Sequence, residues 1–208
     1  MVKRLIFDLD NTLIMWKDEY ILALKNVLDD LDVTYNNDKL HEIDSVLVEY
    51  EKHHDIYEKE MFLKYVNDCC NIKLPINFVD KLIIEQGNCY EEDVQLVDTI
   101  RYLKTKYELM LLSNWFTETQ KLRLKGLGIL DCFSIVSGGD ERLLKPNLKA
   151  FNVCLENVKP EECIMIGDSL KHDIIPASTL GMNVIWVTDK QNETYTTVDK
   201  VYSLKKML

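Results

Sequence analysis

The chain of 208 residues lacks a long hydrophobic run, since no apolar stretch approaches the roughly 18 to 20 residues that are needed to span a bilayer. It also lacks a run of Lys and Arg, and its formal net charge is −10, so binding of DNA or RNA through phosphates is not expected. Pro-rich linkers, low-complexity tracts and internal repeats are absent from the sequence as well. With 47% hydrophobic residues, the chain is predicted to form one sizeable core and a smaller domain.

The six cysteines have none of the spacings that are typical of a zinc site, and Cys69 and Cys70 are adjacent. The sequence shows no signal-peptide pattern. We therefore expect reduced thiols and a cytoplasmic protein that makes no contact with a membrane. A monomer or a homodimer is expected.

Two acidic residues, Asp8 and Asp10, come directly after an apolar run, residues 2–7, that is typical of a buried strand. In an extended segment, residues two apart point to the same side, so both carboxylates are predicted to face one pocket. Like charges held close together do not ionise alike, which lets one acid attack while the other carries a proton. The same run of Asp, Asn and Thr also suits a turn that caps the following helix.

Three further polar signals each follow a separate apolar run. They are Ser113 with Asn114, then Lys145, then an acidic loop that runs from Asp168 to Asp173. Ligands of an open α/β sheet bind at the carboxyl ends of its strands, so all four signals are predicted to meet at one sheet edge. Taken singly, Ser113 and Asp168 also suit helix caps, and Lys145 also suits a solvated loop.

The four motifs in this order resemble those of the haloacid dehalogenase-like hydrolase superfamily: Asp-x-Asp-x-Thr, a Ser or Thr after a strand, a Lys, and an acidic Gly-Asp loop. The resemblance covers essentially the whole chain and points to the phosphatase branch. It implies that Asp8 is the nucleophile that accepts a phosphoryl group, and that Asp10 protonates the leaving oxygen and then activates water. The dehalogenase members lack an acid at the position of Asp10, so the resemblance favours phosphate chemistry.

The resemblance also implies roles for the second and third motifs. Ser113 and Asn114 are expected to bind the oxygens of the transferring phosphoryl group. Lys145 is expected to bind the same group and to offset the charge that develops in the transition state.

Mg²⁺ is the cofactor that the resemblance implies, held by the carboxylates of Asp8 and Asp168, by the Asp10 carbonyl, and by Asp173 directly or through water. The acidic composition agrees, because an acidic site repels a small anionic substrate unless a divalent cation intervenes. Asn11 stands where the family commonly has Gly, and Asn still tolerates a left-handed backbone.

Hydrophobic periodicity predicts the elements between the motifs. Helical spacing prevails up to about residue 90, and from residue 91 strands alternate with helices. After the first strand, strands are predicted over 109–112, 133–136, 163–166 and 184–187, and helices over 59–70, 78–86, 148–158 and 174–180. Such alternation is typical of an α/β fold with a doubly wound, parallel, Rossmann-like sheet. Residues 1–14 and 91–208 are predicted to form this core, and residues 15–90 an inserted all-helical cap.

The predicted cap resembles those that close over small substrates in this superfamily, so a small phosphorylated metabolite is the expected partner. Trp16, after the first motif, and Trp115, beside Ser113, are candidates to stack on a nucleobase. Nucleoside monophosphates are therefore ranked first, as for a 5'-nucleotidase, and sugar phosphates and phosphoglycolate next. Helix packing explains either tryptophan equally well.

Three alternatives to a phosphatase stay open. A phosphomutase shares every core residue named above and returns the phosphoryl group to its substrate. A response-regulator receiver also combines acids, a Ser or Thr and a Lys on a parallel sheet, but its acceptor Asp lies on a middle strand and it needs no helical insertion. A catalytically silent interaction protein on this fold is the third alternative.

Overall fold

The computed structural model describes residues 1–15, 19–190 and 192–208. Six parallel strands run through these ranges: β1 (Arg4–Phe7), β2 (Glu108–Leu112), β3 (Phe133–Ser137), β4 (Cys163–Gly167), β5 (Asn183–Val187) and β6 (Thr196–Val198). They form one sheet in the order β3-β2-β1-β4-β5-β6. This is the strand order of a Rossmann-like sheet, in which the first strand lies near the centre. The predicted fold class is confirmed.

The described ranges also hold eight α-helices: α1 (Glu19–Asp30), α2 (Asn37–Glu49), α3 (Lys59–Cys70), α4 (Phe78–Gln86), α5 (Val94–Lys104), α6 (Thr117–Gly126), α7 (Ile175–Thr179) and α8 (Leu204–Met207). The first four lie between β1 and β2, and we refer to residues 19–86, which contain α1 to α4, as the helical insertion. Across the described part of the chain, no helix combines the length and the hydropathy that a membrane span requires.

The sheet is covered on both faces. Successive side chains of a strand point to opposite faces, and β1 is buried along its whole length. On one face, Leu5 and Phe7 pack in a cluster with Ile100 of α5. On the other face, Ile6 packs in a separate cluster with Ala177 of α7. Burial on both faces is the usual state of a parallel sheet and explains the continuous apolar run in β1.

The helical insertion buries a hydrophobic core of its own. Its buried members include Leu24, Leu47, Phe62, Val66 and Leu82. The same cluster continues into Phe116 and Leu144 of the sheet domain. The insertion therefore packs on the loops that follow β2 and β3, which places it above the carboxyl ends of the strands.

Three elements differ from the sequence prediction. Strand β6 was not predicted; its three residues are too few for a periodic signal, and pairing with β5 decides their structure. The predicted helix over 148–158 is a 3-10 helix, Leu148–Cys154. It ends with a hydrogen bond at 3.0 Å from the Leu155 N–H to the carbonyl of Asn152, three residues earlier. The predicted helix over 174–180 is preceded by a π-helical turn, Leu170–Ile174.

Candidate active site

The structure brings the four motifs together at the carboxyl ends of the strands. Asp8 follows β1, Ser113 follows β2, Lys145 lies in the loop after β3, and Asp168 follows β4. All four line one cavity of about 750 Å³, which we call the central cavity. Residues of the helical insertion form its opposite wall, among them Leu47, Glu51, Tyr57 and Gln86. The central cavity thus lies between the sheet and the insertion.

A buried ammonium group holds two of the acids. The Lys145 Nζ atom lies 2.7 Å from Asp8 Oδ1 and 2.6 Å from Asp173 Oδ1, and all three side chains are buried. Burial raises the pKa of Asp8 to about 8, against the opposing effect of the Lys145 charge. Burial alone would lower the pKa of Lys145, but Asp173 and Asp8 outweigh it and raise that pKa, so the ammonium stays charged.

Asp8, Asp168 and Asp173 form what we call the acidic cluster. Each offers a carboxylate oxygen, and these oxygens lie within 4.8 Å of one another. Burial, with the nearby Asp173 charge, raises the pKa of Asp168 to about 6. Oxygen ligands of this kind suit a hard divalent cation, and Lys145 supplies one positive charge against three acids. The acidic cluster therefore fits Mg²⁺.

Gly167 makes room for this arrangement. A Cβ atom at this position would lie 2.4 Å from Asp173 Oδ2. The Asp173 carboxylate also accepts a hydrogen bond at 3.1 Å from the N–H of Ser169, the residue before the π-helical turn. The absence of a side chain at Gly167 thus lets the Asp173 carboxylate pack against the end of β4.

The Asp10 carboxylate is held apart from Lys145. Its Oδ1 atom accepts a hydrogen bond from the Tyr20 hydroxyl at 2.9 Å and lies 2.8 Å from Nη1 of Arg123, a fully buried residue of α6. Asn11, next in the chain, has a φ of 56°, the left-handed conformation that Asn was expected to tolerate. Tyr20 and Arg123 were missed from the sequence, because both occupy ordinary helix positions outside the motifs.

Ser113 is held at two points. Its Oγ accepts a hydrogen bond from Nε2 of Gln120 at 2.7 Å, and its carbonyl oxygen accepts one from Nη2 of Arg142 at 2.6 Å. Burial lowers the pKa of Arg142 to about 10, which leaves the guanidinium charged at neutral pH. Neither Gln120 nor Arg142 belongs to a motif, and no sequence signal pointed to them.

Asn114 connects the Lys145 loop to the helical insertion. Its Oδ1 accepts a hydrogen bond from the Lys145 N–H at 2.8 Å, and its Nδ2 donates to the Lys145 carbonyl at 2.8 Å and to Glu51 Oε2 at 3.0 Å. The Tyr57 hydroxyl donates to the other oxygen of Glu51 at 3.0 Å. A single amide side chain therefore ties the second motif, the third motif and the insertion to one another.

Comparison with known proteins agrees with this geometry. The family model described as "Haloacid dehalogenase-like hydrolase" matches residues 5–187. The chain belongs to this family. It is 26% identical to the glyceraldehyde 3-phosphate phosphatase of Methanothermobacter thermautotrophicus, with 100% of each protein covered. It is 30% identical to the phosphoglycolate phosphatase of Colwellia psychrerythraea, covering 88% of this chain and 83% of that protein.

Among solved structures, the HAD-hydrolase YfnB of Bacillus subtilis bound to magnesium superposes with a TM-score of 0.77. The identity is 21%, and 100% of this chain and 98% of that chain are covered, which shows a shared fold. The predicted family is confirmed. Together with the phosphatases among the relatives, the family also confirms the prediction of a hydrolase that acts on phosphoric monoesters.

In this haloacid dehalogenase-like hydrolase, the structure describes one of the two tryptophans that are candidates to stack on a nucleobase. Trp16 lies outside the described residues. Trp115 lines the central cavity, and its indole packs edge-to-face against Tyr57, Phe62 and Phe116 at centroid distances of 5.1, 5.6 and 5.3 Å. The packing interpretation of Trp115 thus has direct support from these contacts.

Three basic residues of the hydrolase, Lys52, Lys171 and His172, also line the central cavity. His172 is half-buried, and burial lowers its pKa, so the imidazole is largely neutral near pH 7.

Proposed function

We propose that this hydrolase is a Mg²⁺-dependent phosphatase of small phosphomonoesters that forms an aspartyl phosphate on Asp8. The observation that carries the proposal is the position of the Lys145 ammonium, which is buried at hydrogen-bond distance from both Asp8 and Asp173 at the base of an accessible cavity. Burial of charged side chains carries a desolvation cost even when they are paired, and titratable groups that are buried in this way cluster at functional sites.

Asp8 would act as the nucleophile. Lys145 engages Asp8 Oδ1 at 2.7 Å, whereas the hydroxyl of Thr12 reaches Oδ2 only at 3.4 Å, so Oδ2 is the less engaged oxygen. Attack by Oδ2 on the phosphorus forms the acyl phosphate as the ester P–O bond breaks. Asp10 gives its proton to the leaving alcohol oxygen.

Hydrolysis of the acyl phosphate reverses these roles. Asp10 takes a proton from water, the resulting hydroxide attacks the phosphorus, and the bond between phosphorus and Asp8 breaks to release phosphate. Tyr20 and Arg123 both contact one oxygen of Asp10, which leaves Oδ2 of that residue for proton transfer in both steps. Ser113 and Lys145 would hold the phosphoryl oxygens and offset their charge.

Mg²⁺, when bound, would neutralise charge on the phosphoryl oxygens and fix the phosphoryl group in line with Asp8. Its ligands would be the acidic cluster and the Asp10 carbonyl. Two features support this choice: the donors are all oxygen atoms, and three acids stand against one ammonium. The magnesium in the YfnB structure is a parallel on the same fold.

We further propose that residues 15–90 act as a cap on a core formed by 1–14 and 91–208, and that this cap limits the substrate to small metabolites. Support comes from the wall that Leu47, Glu51, Tyr57 and Gln86 contribute to the central cavity. The relatives named for glyceraldehyde 3-phosphate and phosphoglycolate point to the same class.

A 5'-nucleotidase is the second candidate, supported by the position of Trp115 in the wall of a cavity of about 750 Å³, a size that suits a nucleoside monophosphate. The test compares nucleoside monophosphates with triose and glycolate phosphates as substrates, using wild type, Trp16→Ala and Trp115→Ala. A nucleotide preference that disappears in either variant supports stacking. A preference that both variants keep rules out stacking as its cause.

The decisive experiment is Mg²⁺-dependent phosphate release from a panel of small phosphomonoesters. Asp8→Asn is the test variant, and Asp131→Asn, which neutralises an exposed acid outside the cavity, is the matched control. We expect turnover that requires metal, that is lost in Asp8→Asn and that survives in Asp131→Asn. Stable phosphorylation of Asp8 without release would indicate a mutase or a signalling role, and absence of both would indicate an interaction protein.

A further inference from the structure

A buried chain of hydrogen bonds on α6 joins the two halves of the proposed reaction site. Gln120 Nε2 donates to Ser113 Oγ at 2.7 Å, and Arg123 Nη1 donates to Gln120 Oε1 at 3.0 Å. The same Nη1 atom lies 2.8 Å from Asp10 Oδ1. Gln120 and Arg123 are both 0% exposed. Ser113 and Asp10 are thereby connected through two side chains that no motif contains.

The donor and acceptor groups of Arg123, Gln120 and Ser113 fix the direction of each hydrogen bond between them. A guanidinium has only donors, so Arg123 can face Gln120 only at the amide oxygen. The amide nitrogen of Gln120 must then point to Ser113, where it donates to Oγ. Because the amide nitrogen cannot accept a proton, the hydroxyl of Ser113 is left to donate elsewhere. Ser113 lines the central cavity, where an oxygen of the phosphoryl group would be the acceptor.

Arg123 is fixed independently of Gln120. Its Nε donates to the Cys89 carbonyl at 3.0 Å, and its guanidinium lies 5.2 Å from the centre of the Tyr20 ring. Neither contact involves the sheet edge itself. The chain of hydrogen bonds therefore begins at a fixed residue, Arg123, and ends at the Ser113 hydroxyl. The carbonyl of Ser113 is held separately by Arg142.

We propose that Gln120 and Arg123 are positioning residues that keep the Ser113 hydroxyl as a hydrogen-bond donor to the transferring phosphoryl group and hold it in fixed relation to Asp10. This inference rests on the proposed phosphatase. It assigns a function to the Thr-Glu-Thr-Gln-x-x-Arg segment of α6, which otherwise would count only as a helix that packs on the sheet.

Two substitutions of Gln120 separate positioning from packing. Gln120→Leu removes the donor to Ser113. Gln120→Glu keeps a partner for Arg123, but its carboxylate accepts the Ser113 proton and turns the donor away from the cavity. We expect each variant to lower kcat/KM by about 10- to 100-fold, the range for outer partners of reactive groups. Gln120→Glu is expected to fold as well as wild type and still lose activity.

A double-mutant cycle of Gln120→Leu with Ser113→Ala measures whether the effect of Gln120 depends on Ser113. A merely structural role of Gln120 would not show this dependence. Ser113→Ala is expected to lower kcat by about 10²- to 10³-fold. In the Ser113→Ala background, Gln120→Leu is expected to lower kcat further by less than about twofold. Thr119→Val is the matched control, because Thr119 is equally buried on α6 but bonds the Ile83 carbonyl of the insertion. Its effect is expected to be the same with and without Ser113.

Affinity for orthovanadate, measured by calorimetry with Mg²⁺ present, separates this inference from the proposed function. If wild type releases no phosphate but binds vanadate, and Gln120→Leu weakens binding only when Ser113 is present, the positioning role stands and the phosphatase fails. Full activity of Gln120→Glu, or equal effects of Gln120→Leu in both backgrounds, overturns the positioning role. A wild type that neither turns over nor binds vanadate overturns both.

Discussion

Binding of Mg²⁺ to this hydrolase should release about one proton at pH 7. In the acidic cluster Asp8 and Asp173 are buried and Asp168 is half-buried, and a carboxylate can bind the cation only in its charged form. Burial raises the pKa of Asp8 to about 8 and that of Asp168 to about 6. Both shifts favour the protonated acid, so metal and proton compete for the same oxygens, and affinity for Mg²⁺ must rise with pH.

The size of the effect follows from these two values. At pH 7, Asp8 is about nine-tenths protonated and Asp168 about one-tenth, which together give about one proton displaced per Mg²⁺. The apparent dissociation constant should fall about tenfold per pH unit from pH 6 to 8 and level off above about 8.

The assay is a calorimetric titration with Mg²⁺ in two buffers that differ in ionisation enthalpy. The difference between the observed enthalpies, divided by the difference between the buffers, gives the number of protons released. At pH 9 the same titration should give about 0.1 proton. Asp8→Asn is the control and should bind Mg²⁺ more weakly while releasing about 0.1 proton at pH 7. Enthalpies at pH 7 that do not depend on the buffer would refute the reasoning.

Three substitutions test other parts of the structure. Gly167→Ala brings a Cβ to 2.4 Å from Asp173 Oδ2, so Mg²⁺ affinity by calorimetry should fall at least about tenfold, and unchanged affinity would contradict this packing. Phe62→Ala empties a site that is 0% exposed in the insertion and should cost about 3 to 5 kcal/mol in urea unfolding; a loss under about 1 kcal/mol would contradict its core position. Asn114→Asp places a carboxylate oxygen 3.0 Å from the Glu51 carboxylate and should lower the melting temperature near pH 7, an effect that Glu51→Gln should reverse.

Much of the fold was accessible from local patterns. Five of the six strands coincide with segments that were predicted as strands, and α3 and α4 begin and end where periodicity predicts them. Strand β6 has three residues and exists because β5 offers it a partner. The 3-10 helix Leu148–Cys154 and the π-helical turn Leu170–Ile174 differ from an α-helix only in hydrogen-bond spacing, which periodicity does not resolve.

The sequence by itself determined which groups could carry the chemistry. Asp8, Ser113, Lys145 and Asp168 each follow an apolar run, and a parallel sheet brings the carboxyl ends of its strands to one edge whatever the connections between them. That reasoning needs only the order of the motifs and the period of the strands. The left-handed backbone conformation of Asn11, with a φ of 56°, agrees with its residue type, because Asn tolerates this conformation.

Only the tertiary structure decided what surrounds those groups. Five residues that surround the site lie on segments whose sequences are typical of ordinary helices or loops: Tyr20, Glu51, Gln120, Arg123 and Arg142. Some of their partners are distant along the chain, as Asn114 is from Glu51 and Asp10 is from Arg123. The pairing of Arg123 with Asp10 spans more than a hundred residues, and it depends on how α6 and the helical insertion pack against the sheet. Burial strengthens such contacts, and it depends on how the whole chain packs. A local sequence pattern therefore does not predict these contacts.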